Sequence, residues 1–233
     1  MVLNFATVAA NVARIRERVA SACERVGRGS DDVRLVAASK TVPPAGIRAA
    51  AAAGVVEFGE NYVHELRDKR AVVDAARWHY IGTLQSRTAP RVAELADVVQ
   101  TLAPGHATDR LARRAAERGQ ELDTMIEVDF AGRGSGVNAA ECERFADGVA
   151  AVDGLRLVGL MTLPPSTPSA EDARPYFVRL RELRDRVANA HPHAAHLSMG
   201  MSLDYEVAVE EGATIVRIGT ALFGARPPAH GRG

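Results

Sequence analysis

The chain is predicted to fold as an α/β protein, a (β/α)8 TIM barrel with an additional amino-terminal helix. Three observations carry this. Eight short apolar runs punctuate the 233 residues, seven segments of helical pattern or composition separate them, and glycine closes several of those segments. Strands joined by helix-length crossovers pair in parallel with right-handed connections, and eight of them close a barrel. An open doubly wound sheet is the alternative.

Val8, Val12, Ile15, Val19, Ala22 and Val26 recur at intervals of three and four, with Arg14, Arg16, Glu17 and Arg18 between them. Residues 4–26 therefore read as one amphipathic helix, ended by Gly27. The strand candidates follow at 33–39, 55–59, 78–82, 98–102, 123–129, 155–163, 194–199 and 214–219. Helices are expected between them at 44–53, 63–75, 84–95, 108–118, 139–152, 171–190 and 203–211. Gly54, Gly119 and Gly212 stand where a helix gives way to the next strand. With no repeat, linker or low-complexity tract, residues 1–226 read as one domain, and the Pro- and Gly-rich stretch 227–233 as a disordered tail.

Hydrophobic residues make up 47% and charged residues 25%, the balance of an ordinary soluble globular protein. Lys plus Arg and Asp plus Glu both number 29, so no basic field points to nucleic acid. No apolar stretch is long enough to span a bilayer, and Met1-Val2-Leu3-Asn4-Phe5 lacks the basic and apolar regions of a secretion signal, so a cytoplasmic location is expected. Cys23 and Cys142 read as isolated thiols. His64, His106, His191, His193, His196 and His230 show no ligand spacing, and no metal is expected.

The functional face of a barrel is built at the carboxyl ends of its strands. Lys40 ends the first strand, where loss of hydration lets an ammonium give up a proton and attack a carbonyl; the alternative is a strand-end lysine reaching for solvent. Ser198-Met199-Gly200-Met201-Ser202 follows strand seven, and Gly219-Thr220 opens the segment after strand eight. Hydroxyls and accessible backbone N–H groups at those two ends suit a phosphate. Arg217 alternates with Val216 and Ile218, so it points to the opposite face from them, where a ligand acceptor or a carboxylate such as Glu57 or Glu127 would be its partner. An amine, a phosphate cradle and an inward arginine on one mouth fit pyridoxal 5'-phosphate held through lysine.

Six stretches strengthen this reading: Ala38-Ser39-Lys40-Thr41, Phe58-Gly59-Glu60-Asn61-Tyr62-Val63, Trp78-His79-Tyr80-Ile81-Gly82-Thr83-Leu84-Gln85, Gly159-Leu160-Met161, Leu197-Ser198-Met199-Gly200-Met201-Ser202 and Val216-Arg217-Ile218-Gly219-Thr220. In the same order they resemble the YggS/PROSC family of pyridoxal phosphate homeostasis proteins, from about Asn4 to Arg226. The resemblance implies a fold-type III barrel similar to the amino-terminal domain of alanine racemase, with the cofactor covalently on Lys40 as an aldimine (Schiff base). It further implies Arg217 against the pyridine nitrogen, Ser198, Ser202, Gly219 and Thr220 at the phosphate, and Asn61, His79 and Met161 around the ring. The chain departs from the family pattern at Arg87-Thr88, and in Gly132-Arg133-Gly134-Ser135-Gly136 no accessory lysine stands.

A non-catalytic role in pyridoxal phosphate homeostasis, with an indirect effect on amino and keto acids, is the function so implied. The partners are the cofactor and pyridoxal-phosphate-dependent apoenzymes, without nucleic acid or membrane, and the expected state is a monomer or weak dimer. A guanidinium at the ring nitrogen cannot accept a proton, which weakens the ring as an electron sink. A racemase of the alanine type also takes a tyrosine base from an appended domain, for which no room is expected here. The alternatives are an amino-acid racemase drawing on Tyr62, Tyr80 or Tyr205, and a cofactor-free Schiff-base aldolase using Lys40.

Overall fold

A computed structural model of the chain describes residues 5–224. The first four residues, the ends of the domain expected at 1 and 226, the tail expected at 227–233 and His230 lie outside them. After a 3-10 turn at Phe5–Thr7 comes α1, Val8–Arg25, which buries Val8, Val12, Ile15, Val19, Ala22 and Cys23. This is the face that the intervals of three and four mark out, with Cys23 added and with Val26, past the end of the helix, exposed instead of buried. It packs against the helices α2, Pro44–Ala52, α8, Tyr205–Glu210, and α9, Thr220–Phe223.

The strands are β1 Arg34–Ala38, β2 Glu57–Glu60, β3 Arg77–Tyr80, β4 Val98–Leu102, β5 Leu122–Val128, β6 Leu155–Thr162, β7 His196–Ser198 and β8 Ile215–Ile218. They close in chain order into a barrel, with β1 paired in parallel to both β2 and β8, which decides against an open sheet. The remaining crossover helices are α3 Val63–Arg70, α4 Ala89–Leu95, α5 His106–Glu117, α6 Cys142–Ala150 and α7 Arg174–Ala190.

Helix starts and stops differ from the sequence reading for local reasons. Pro90 and Pro175 sit in the first turn of α4 and α7, where a missing N–H costs nothing, so these helices begin at Ala89 and Arg174 rather than at 84 and 171. A 3-10 turn at Glu171–Ala173 precedes α7. Helix α3 stops at Arg70 rather than 75, and the Val73 carbonyl is taken by the Trp78 indole N–H at 3.2 Å.

Two apolar clusters hold the barrel. The larger fills the layer between strands and helices, where fully buried Phe58 and Trp78 stack with centroids 5.1 Å apart. The smaller lies inside, formed by Val36, Met125, Met161 and Ile215. Gly159 lets β6 and β7 close up, since a Cβ there would lie 2.1 Å from the His196 carbonyl oxygen. Much of the remaining interior is polar, with His79, Gln100 and Ser198 fully buried and Arg217 at 4% exposure. Cys23 and Cys142 are free and buried.

Candidate functional site

A cavity of about 530 Å³ opens at the carboxyl ends of the strands. Seven of the nine residues singled out in the sequence line it: Lys40, Asn61, Met161, Ser202, Arg217, Gly219 and Thr220. His79 and Ser198 do not. Both are wholly buried in the barrel interior, behind the cavity wall.

Their place is in a buried chain of hydrogen bonds that ends at Arg217. The guanidinium donates through Nη1 to Ser198 Oγ at 2.5 Å and through Nη2 to the Thr162 carbonyl at 2.8 Å. Ser198 Oγ donates to Gln100 Oε1 at 2.6 Å, the Gln100 amide nitrogen lies 2.8 Å from His79 Nδ1, and His79 Nε2 lies 2.8 Å from Glu57 Oε2. A guanidinium only donates and a carboxylate only accepts, so the two ends fix every link between them. Gln100 spends its oxygen on Ser198 and its N–H on Nδ1, which leaves the His79 proton on Nε2, pointing at Glu57. His79 is accordingly neutral, its pKa pushed down first by burial. Burial acts to raise Glu57, yet the His79 hydrogen bond and the Arg34 and Arg77 guanidinium groups hold its carboxyl below the usual range.

Arg217 carries its charge without a carboxylate at ion-pair distance among the described residues, so neither Glu57 nor Glu127 is its direct partner. Burial pushes its pKa down to about 10, with Asp204 and Glu127 acting the other way. A buried cation with only neutral direct partners at a cavity wall suits an acceptor or anionic group brought by a ligand.

Lys40 is exposed in the same cavity, one residue past fully buried Ser39 and just beyond β1, the strand paired with the β8 that carries Arg217. The next residue, Thr41, has φ +61°, a left-handed backbone that costs a β-branched residue about 1–3 kcal/mol. The loops after β7 and β8 are tied together: Ser202 Oγ accepts the Ala221 N–H at 3.1 Å and the Gly200 carbonyl accepts the Arg217 N–H at 3.0 Å. Gly200 sits at φ +91° with Ala208 and Tyr205 against the space of its absent Cβ, so no larger residue fits.

The sequence reading missed Arg133 and Asp204, which also line the cavity. Arg133 reaches it from the glycine-rich loop, donating to the Pro164 carbonyl at 3.1 Å. Asp204 is buried, accepts the Met201 N–H at 2.7 Å, and has its pKa raised by burial. Gln100 escaped as well, although a lone amide inside the apolar run Val98 to Leu102 is itself a signal that a buried partner waits. Among the described residues no group of three or more His, Cys, Asp and Glu is placed to hold a metal ion, and no helix is long and apolar enough to cross a membrane.

Comparison with known proteins agrees with this geometry. Residues 6–227 match the family model described as alanine racemase, N-terminal domain. The pyridoxal phosphate homeostasis protein of Aquifex aeolicus is 41% identical over 220 residues, covering 92% of this chain and 96% of that protein. Its counterpart in Escherichia coli K12 is 38% identical over 229 residues, covering 94% and 97%. The structure of PipY from Synechococcus elongatus with PLP bound superposes with a TM-score of 0.79 at 33% identity, over 90% of this chain and all of that one. Alanine racemase from Corynebacterium glutamicum shares the fold, with a TM-score of 0.70 at 17% identity over 98% of this chain and 63% of that one. The chain belongs to the YggS/PROSC family of pyridoxal phosphate homeostasis proteins, built on the alanine racemase amino-terminal domain.

Proposed function

We propose that the chain binds pyridoxal 5'-phosphate covalently through Lys40 and serves the intracellular homeostasis of that cofactor without turnover of its own. The observation that carries this is the presence, in one cavity, of the Lys40 amine and a buried guanidinium that has only neutral direct partners. The PLP-bound structure of PipY and the names of the relatives support the choice of ligand. When bound, the group supplies an aldehyde that condenses with a primary amine, with loss of water, and a conjugated ring that absorbs visible light.

Lys40 provides that amine. Ser202, Gly219 and Thr220 hold the phosphate with hydroxyls and backbone N–H groups, while Asn61 and Met161 line the ring. Arg217 faces the ring nitrogen as a donor that cannot accept a proton. Ser198, backed by Gln100 and His79, keeps Nη1 aimed, and the Thr162 carbonyl keeps Nη2 aimed.

The cavity wall also supports a non-catalytic reading. Its ionisable groups are Lys40, Arg133, Asp204 and Arg217, with no tyrosine among its lining residues. Tyr205 is buried on α8, Tyr80 donates to the Thr83 carbonyl, and Tyr62 stacks on His64. A racemase needs a proton donor and acceptor on opposite faces of the α-carbon, and none of the three tyrosines is positioned for it.

The test is the visible spectrum of the protein mixed with pyridoxal phosphate. A band that Lys40→Ala abolishes is expected, with no deuterium entering the α-carbon of a panel of amino acids. A band unchanged in Lys40→Ala overturns the covalent reading, and rapid deuterium exchange overturns the non-catalytic one.

A further inference from the structure

One ion pair on α3 grips both peptide groups that flank Lys40. The Ser39 carbonyl accepts from Lys69 Nζ at 2.7 Å, and the Thr41 N–H donates to Glu65 Oε2 at 2.7 Å. Lys69 Nζ and Glu65 Oε2 are themselves 2.5 Å apart, one helical turn along the same helix. The pair is fastened to β2, because Lys69 Nζ also donates at 2.5 Å to Glu60 Oε1, which accepts the Ser39 hydroxyl at 2.6 Å.

The chain has two lysines, and their settings are opposite. Lys69 is 5% exposed, and its three N–H donors are matched by three acceptors: the Ser39 carbonyl, Glu60 and Glu65. It has no donor left for a ligand and does not line the cavity, whereas Lys40 is exposed there. Glu60 is fully buried, and Lys69 and Ser39 oppose the rise in pKa that its burial causes. These groups converge on a turn closed by the Val42 N–H donating to the Ser39 carbonyl at 2.9 Å, in which Thr41 is the one non-glycine residue at positive φ among the described residues.

We propose that Glu65 and Lys69 are positioning residues for Lys40: they fix the carbonyl before it and the N–H after it, hold Thr41 left-handed, and so present the Lys40 amine to the cavity. This rests on the reading of Lys40 as the amine that takes the cofactor. An amine delivered from a fixed backbone loses less freedom on reacting than one on a loose turn, so the clamp acts on the rate of capture. A purely structural ion pair between α3 and β2 would act on stability alone.

Lys69→Met would leave Glu60 buried without its cation, so the informative variants are Glu65→Ala, which removes the acceptor of the Thr41 N–H, and Glu65→Gln, which keeps one. Three quantities are measured: hydrogen exchange of the Thr41 amide in cofactor-free protein, the rate at which pyridoxal phosphate becomes fixed on Lys40 by borohydride, and the melting temperature. Glu65→Ala is expected to speed Thr41 exchange about tenfold and slow Lys40 capture about fivefold or more, as the loss of a charge-assisted hydrogen bond implies. Glu65→Gln is expected to recover most of both. Wild-type exchange and capture in Glu65→Ala, or a lowered melting temperature with both unchanged, overturns the clamp. Wild-type protein that captures nothing on Lys40 overturns the cofactor reading instead, and the Thr41 exchange then still shows whether the backbone is gripped.

Discussion

Replacing Gln100 by glutamate tests the directional chain that ends at Arg217. The substitution is isosteric, and the new carboxylate still accepts from Ser198 Oγ, but it turns an oxygen toward His79 Nδ1, where the wild-type residue places an N–H. An acceptor facing an acceptor is relieved by one added proton shared between the imidazole and the new carboxyl, so the folded variant holds a proton that the wild type does not. In the wild type the folded pKa of His79 lies below 6.5. The unfolded chain therefore binds the extra proton as pH falls through about 6.5, and stability is lost at up to about 1.4 kcal/mol per pH unit. In Gln100→Glu the folded pKa lies above the unfolded one. Its contribution is complete below about pH 6.5 and is lost as pH rises through the folded value, at a similar slope of opposite sign.

At about 2–4 °C per kcal/mol for a chain of this size, the melting temperatures of the two proteins should converge or diverge by about 3–6 °C per pH unit. The comparison is made by calorimetry between pH 5.5 and 8, where His196 titrates equally in both proteins and cancels. Parallel curves would refute the argument, as would nitrogen-15 spectra showing wild-type His79 protonated at both ring nitrogens near pH 6.5.

Two further perturbations follow from the backbone. Thr41→Gly removes the Cβ from a left-handed position and should raise stability by about 1 kcal/mol while loosening the turn, read as a higher denaturant midpoint together with faster Thr41-Val42 amide exchange. Gly159→Ala drives a methyl to within 2.1 Å of the His196 carbonyl, and should cost about 3 kcal/mol or more as β6 and β7 are forced apart, seen as a lowered midpoint in urea.

The barrel was readable because its signal is repeated: each strand is a short apolar run, each crossover has a helical pattern, and closure in chain order follows from parallel pairing. Lys40 and Arg217 were readable from position, since one sits at a strand end and the other interrupts an apolar strand on its inward side. The buried setting of His79 was not readable, for a physical reason. The penultimate residue of β3 faces the barrel axis, and only the partners Gln100 and Glu57, on two other strands, show that it belongs to the interior rather than the mouth. Lys69 was missed because it stands in a run of charges, His64 to Arg70, that reads as a solvated helix face. Its burial depends on Glu60, nine residues earlier on β2, and on the turn at Ser39. Contacts made by loop geometry leave no periodic trace in a sequence.

The central claim is that Lys40, and not Lys69, is the amine that holds the cofactor. The protein is mixed with pyridoxal phosphate, reduced with borohydride, digested and mapped by mass spectrometry, with two lysines in the whole chain to distinguish. The expected result is a pyridoxyl group on the peptide containing Lys40, with Lys69 unmodified. Modification of Lys69, or of neither lysine while the protein stays folded, contradicts the account.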